Sequence, residues 1–176
     1  MKKIAVITLL VFISFKSDIL YSAPDRNIQG QASDEIEDIK EKVSTLEEGI
    51  SFLEKEISRD KDISSWAQNS IALRTTRDYL KRDLPEKKRI LDNLKKDLGD
   101  ELKDEIGFVS QDIEKENEII SDVRIDIGTI KYTQAYITET LQRKNDMMNT
   151  FKEKMEVLKD RLEKAKKEEK GKEMKK

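Results

Sequence analysis

From Ile36 onward the apolar residues keep a strict beat. Ile36, Ile39, Val43, Leu46, Ile50, Leu53 and Ile57 follow one another at alternating spacings of three and four. A 3.5-residue repeat holds one stripe of a helix against a partner, so this stretch predicts an amphipathic helix with a heptad-type seam. Ser33 is placed to cap it, with Asp34 and Glu35 in the first turn, where carboxylates suit the helix dipole. The beat fails at Arg59-Asp60-Lys61-Asp62 and resumes as Ile63, Trp66, Ser70, Leu73, Arg77, Leu80 and Leu84. Asp60 or Asp62 is placed to cap a second helix there. With no glycine or proline to force a turn, one long bent helix is the alternative. Pro85 is expected to end this run and start the next, because proline suits a first turn. Ile90, Leu91, Leu94 and Leu98 then form a short apolar face, closed by Gly99 as a helix stop and Asp100 as the next cap.

The second half carries a longer repeat. It runs from Ile106 to Ala165 at the same spacings, and only Glu116, Gln134 and Lys144 among its positions are polar. One straight helix of that span would be about 90 Å long at 1.5 Å per residue. A compact domain of this size is roughly 30–35 Å across, so the chain is expected to fold back. Gly128-Thr129 is the predicted break, with Asn145-Asp146 as the second choice. Val123, Ile125, Ile127 and Thr129 also alternate as a strand would, but the repeat on both sides assigns them to helix. The fold class expected is all-α: an antiparallel bundle of about five helices over residues 33–166, followed by a charged tail, 167–176.

Composition agrees and narrows the chemistry. Charged residues make up 41% of the chain and there are two prolines, a bias that points to long helices. Histidine and cysteine are both absent. That removes the usual neutral-pH base, every thiol nucleophile, disulfides and most transition-metal ligand sets. Carboxylate pairs such as Asp34/Glu35 and Glu168/Glu169 read as a solvated helix face. The acid-dense run DIEKENE (112–118) lacks the glycine and ligand spacing of a calcium loop. No enzyme, metal site or cofactor is expected.

The first residues read as an address. Lys2 and Lys3 precede an apolar stretch, Ile4–Phe15, which has the length of a secretory signal and is too short to span a bilayer as a helix. Ser22/Ala23 is the favoured cleavage bond, giving a signal peptide over 1–22 and a flexible leader over 23–32. A lipidated cysteine would be expected near Phe15 or Ser17; neither can carry the lipid, so no covalent lipid anchor is expected. Removing the signal takes away Lys2, Lys3, Lys16 and Asp18, which moves the net charge from −2 to −4. That is no nucleic-acid footprint.

Four residues stand out as candidate partner contacts. Ile125, Tyr132 and Tyr136 fall opposite the seam at helical spacing, beside Gly128. A helix apolar on two sides buries both or offers one to a partner. Gly128 either breaks the helix or lets a neighbour approach closely. Trp66, the lone tryptophan, lies on its seam, where a core role competes with a role as an interface anchor. The lysine-rich tail has interleaved glutamates, which favours a solvated end over a polyanion site.

The leader MKKIAVITLLVFISFKSDILYSAP, without a lipid-accepting cysteine, opens a small, Lys/Glu-rich, helical, cysteine-free chain. In this organisation the protein resembles the exported plasmid protein A family (EppA/BapA type) of Lyme disease spirochaetes. The resemblance covers nearly the whole chain and carries no catalytic or ligand motif. It implies an exported antigen of the cell envelope, at the outer-membrane surface rather than in the periplasm. The function expected is that of a non-enzymatic interaction protein with a protein partner, a host component among the candidates, and with homo-oligomerisation open. The rival is a periplasmic coiled-coil holdase for outer-membrane proteins, which shares export, high charge and long heptads.

Overall fold

A computed structural model describes residues 27–173, with side chains over 33–171. The predicted signal peptide and residues 23–26 of the leader lie outside the described residues, and the rest of the leader, 27–32, is helical rather than flexible. Four α-helices account for nearly all of the chain described: α1 (Asn27–Ser65), α2 (Ser70–Leu98), α3 (Lys103–Ser121) and α4 (Ile127–Glu173). With 91% of these residues helical and no strand among them, the class is all-α.

The first and last helices form the main pair, and the α2–α3 hairpin packs against it, chiefly through α2 on α1. Ion pairs fix the direction of the long pair: Asp60–Lys144, Glu54–Lys152 and Glu47–Lys159 descend α1 as they ascend α4. The first and last helices are therefore antiparallel. At the α2–α3 turn, Glu101 pairs with Lys42 of α1 and with Lys154 of α4. Both long helices continue beyond that level, and the Glu35–Arg161 pair links them there. None of the described helices is long and apolar enough to cross a membrane.

The helix boundaries depart from the sequence pattern in instructive ways. There are four helices rather than about five. α1 starts before Ser33, because Gln29, Gln31 and Ala32 are helix-permissive and Ser33 simply continues the helix. It also runs through Asp60 and Asp62, because Asp60 is buried against basic side chains and is not free to cap anything. The cap falls at Asn69, whose Oδ1 accepts from the Ala72 N–H at 2.9 Å. Pro85 does not end α2; it sits on the exposed face, where water can serve the carbonyl its ring leaves unpaired. Gly99 follows the last residue of α2 but stays right-handed, at φ −52°. Buried Leu102, not Asp100, occupies the N-terminal flank of α3. The repeat from Ile106 folds back at 122–126 rather than at Gly128-Thr129, and α4 continues uninterrupted through Asn145-Asp146.

The apolar periodicity still predicts the interior. All seven residues from Ile36 to Ile57 are buried, as are Ile90, Leu91, Leu94 and Leu98. Burying a side chain of that size is worth about 1.5–3 kcal/mol, so this core is the main stabilising term. One approach is especially close: a Cβ at Gly49 of α1 would lie 3.0 Å from the Phe151 ring of α4. A smaller cluster, Ile63, Leu80, Ile119 and Ile137, closes the end of the bundle where α1 meets α2, with Trp66, Tyr79 and Tyr136 against it.

Candidate functional site

The α3–α4 turn, Asp122-Val123-Arg124-Ile125-Asp126, is held by its own polar residues. Asp122 accepts from the Arg124 backbone N–H at 2.9 Å and from its guanidinium at 2.7 Å. Arg124 holds the Asp122 carboxyl down, at about 2. Asp126 Oδ1 accepts the Thr129 N–H at 2.8 Å and so caps α4. Arg77 of α2 donates to the Arg124 carbonyl at 3.0 Å, tying the turn to the bundle. With Asp122 and Asp126 bonded inward along the turn, the apolar residues beside them face solvent. Val123 is 89% exposed, Ile127 57% and Ile125 43%. Tyr132, one turn into α4, is also exposed. An open groove of about 560 Å³ lies beside them, lined by Glu118, Ile119, Asp122, Asp126, Tyr132 and Thr133 among others.

The four candidate contact residues thus separate. Ile125 and Tyr132 are both exposed at this end of α4, and Ile125 belongs to the loop rather than to a helix. Tyr136 turns inward, and its hydroxyl donates to Asp112. Trp66 is half-buried at the end of α1, 6.2 Å from the Tyr79 ring, and its carbonyl accepts from Gln134 at 2.9 Å. No continuous second stripe runs along α4. Gly128 admits no neighbouring helix either: a Cβ there would meet only the Asp126 cap, at 3.1 Å.

Inside the bundle lies a network of charges drawn from all four helices. Glu56, Arg59 and Asp60 come from α1, Lys87 from α2, Asp112 and Glu116 from α3, and Lys144 from α4; all are buried or nearly so. Lys87 spends its three N–H groups on Glu56 (2.9 Å), Glu116 (2.8 Å) and Asp112. Lys144 donates to Asp60 at 2.7 Å and stands 3.7 Å from Glu56 and 3.6 Å from Asp112. Arg59 donates to Asp60 at 2.7 Å and reaches out to Asp83 at 2.9 Å. Charges this deep persist only when paired and hydrogen-bonded.

The carboxyls do not behave alike. Burial pushes Asp112 up, but Lys144, Lys87 and the Tyr136 hydroxyl outweigh it and hold it at about 2. Glu56 is likewise pushed up by burial and drawn lower by Lys144, Lys87 and Arg59. Glu116 ends at about 7: burial raises it, Lys87 offsets only part of that, and Glu56 and Asp112 raise it further. Glu56, Asp112 and Glu116 bring one carboxylate oxygen each within 4.8 Å of one another, a spacing that suits a divalent cation. Here the Lys87 ammonium stands among them and donates to all three.

Four of the buried charges interrupt the apolar pattern. Glu116 and Lys144 are two of the three polar residues on the long repeat, and Arg59-Asp60 is where the first repeat fails. Comparison with protein-family models, with curated proteins and with solved structures gave no match.

Proposed function

We propose that the protein is an exported, non-enzymatic interaction protein of a bacterial envelope, engaging a protein partner through the α3–α4 turn. The observation that carries this reading is the exposure of Val123, Ile125, Ile127 and Tyr132 on a turn fastened by Asp122, Asp126 and Arg77. Ordered apolar side chains that stay in solvent are anchors already positioned for burial, so little ordering entropy is lost on docking. The groove beside them has Glu118, Asp122 and Asp126 against Arg124 alone, a balance that disfavours a polyanion or an anionic lipid surface. A protein surface offering an apolar anchor with basic flanks fits it. The buried charges are spent on one another, which supports a structural rather than a catalytic use for them.

Export rests on the leader, and the outer-membrane surface is the compartment we propose, in line with the spirochaete family that the chain resembles. Treating intact cells with proteinase K tests this. Loss of the protein supports the surface placement; survival until permeabilisation overturns it. A photo-crosslinker at Val123 then tests the turn, which predicts a covalent adduct that an equivalent probe at Glu163 does not form. The second reading, a periplasmic holdase, draws on the α1–α4 pair that continues beyond the α2–α3 turn. A trimer in solution with protruding arms would favour it over the surface protein.

A further inference from the structure

The buried network has an excess of acid that its geometry locates. Four carboxylates, Glu56, Asp60, Asp112 and Glu116, face three cations, Arg59, Lys87 and Lys144. The cations are not shared evenly. Glu56 receives Lys87 and Arg59 with Lys144 nearby, Asp60 receives Arg59 and Lys144, and Asp112 receives Lys87 and the Tyr136 hydroxyl with Lys144 nearby. Glu116 receives Lys87 alone. Meanwhile Glu56 Oε2 is buried without any donor. The network thus holds one carboxylate more than its cations, and Glu116, served by a single donor, is the least compensated of the four.

We propose that the meeting point of the four helices is a proton-binding site, in which Glu116 carries one proton and donates it within the Glu56–Asp112–Glu116 trio, closing α3 onto the rest of the bundle. The groups facing Glu116 are Glu56 and Arg59 of α1, Lys87 of α2, Asp112 on its own helix, and Lys144 and Tyr136 of α4. None of these titrates near neutrality: Lys87 and Lys144 are held above their usual range by the carboxylates, Tyr136 is pushed far up by burial and Asp112, and Asp112 stays low. The chain has no histidine to confuse the reading. The site is independent of whatever the turn binds.

The linkage has a definite sign. A carboxyl raised in the folded state stabilises the fold below its ordinary range and loses that contribution as pH rises through about 7. Urea unfolding of the full chain at pH 5.5, 6.5 and 7.5 is the test. The unfolding constant is expected to rise on the order of tenfold from pH 5.5 to 7.5. In Glu116→Gln, which keeps a donor without a charge, the rise should disappear. A flat wild-type profile, or the same rise in the variant, overturns the proposal. Should the variant not fold, carbon-detected NMR of the Glu116 carboxyl in the wild type decides: a midpoint near neutrality supports the site, one in the ordinary glutamate range overturns it.

Discussion

Lys144 of α4 and Asp60 of α1 meet at 2.7 Å with both side chains fully buried. Removing either one leaves a charge in the core with a partner missing, whereas removing both deletes the desolvation cost along with the attraction. Lys144→Met alone is therefore expected to destabilise by about 3–5 kcal/mol, and Asp60→Leu with Lys144→Met by much less than the sum of the single changes. Urea unfolding of the two single variants and the double completes the cycle. Additive losses would show that the pair is not a unit.

Below neutrality the network acts in the opposite sense from Glu116. Asp112 at about 2 and the lowered Glu56 are depressed carboxyls, so their contribution is present above the ordinary carboxyl range and fades in acid, for Asp112 as pH falls through about 2. Stability is expected to be greatest in mildly acid solution and to fall steeply in strong acid. Tyr136→Phe removes a donor to Asp112, so it should cost about 1–3 kcal/mol at pH 5.5 and move the acid transition to higher pH. Circular dichroism against pH measures both effects.

Gly49 faces the Phe151 ring across the long helix pair. A methyl group there at 3.0 Å forces the ring aside, for a cost of about 1–3 kcal/mol. Gly49→Ala should lower the melting temperature, and Phe151→Leu in the same chain should recover part of the loss. A higher melting point for Gly49→Ala would mean that the ring yields freely and the helix keeps the roughly 1 kcal/mol that alanine gains over glycine.

At the α3–α4 turn, stability and binding should separate. Asp126→Ala loses the α4 cap and about 1 kcal/mol of stability. Val123→Asp, at a position 89% exposed, should change stability by no more than about 0.5 kcal/mol. It should nevertheless abolish the crosslinked adduct when the probe is moved to Ile127. Persistence of that adduct would falsify the role given to the turn.

What the pattern could reveal was set by how local the cause is. The stripe from Ile36 to Ile57 is a property of one helix, and each of its residues lies inside. Val123 and Ile127 satisfy the same spacing yet stand in solvent, because Asp122 and Asp126 fasten a turn between them that needs neither glycine nor proline. The aspartates flanking Val-Arg-Ile were the visible sign of that turn. Glu116 and Lys144 were visible as interruptions, but their meaning lies in Asp112, Lys87, Glu56 and Asp60, on other helices. Lys87 carried no mark at all, since a lysine between Leu84 and Ile90 looks like any solvated helix residue until three carboxylates surround it. Pro85 misled for a related reason: proline suits the start of a helix, but burial of Leu84, Ile90 and Leu91 on the opposite side carried α2 through it.

The pairing of the first helix with the last also sets when the chain can fold. Asp60 and Lys144 are 84 residues apart, and Gly49 faces Phe151 across a still longer stretch of chain. Until α4 is present, α1 has no partner for its main face, and the acids of α1 and α3 lack one of their cations. The main pair therefore closes only once α4 is present, at the loop-closure cost of joining two distant parts of the chain.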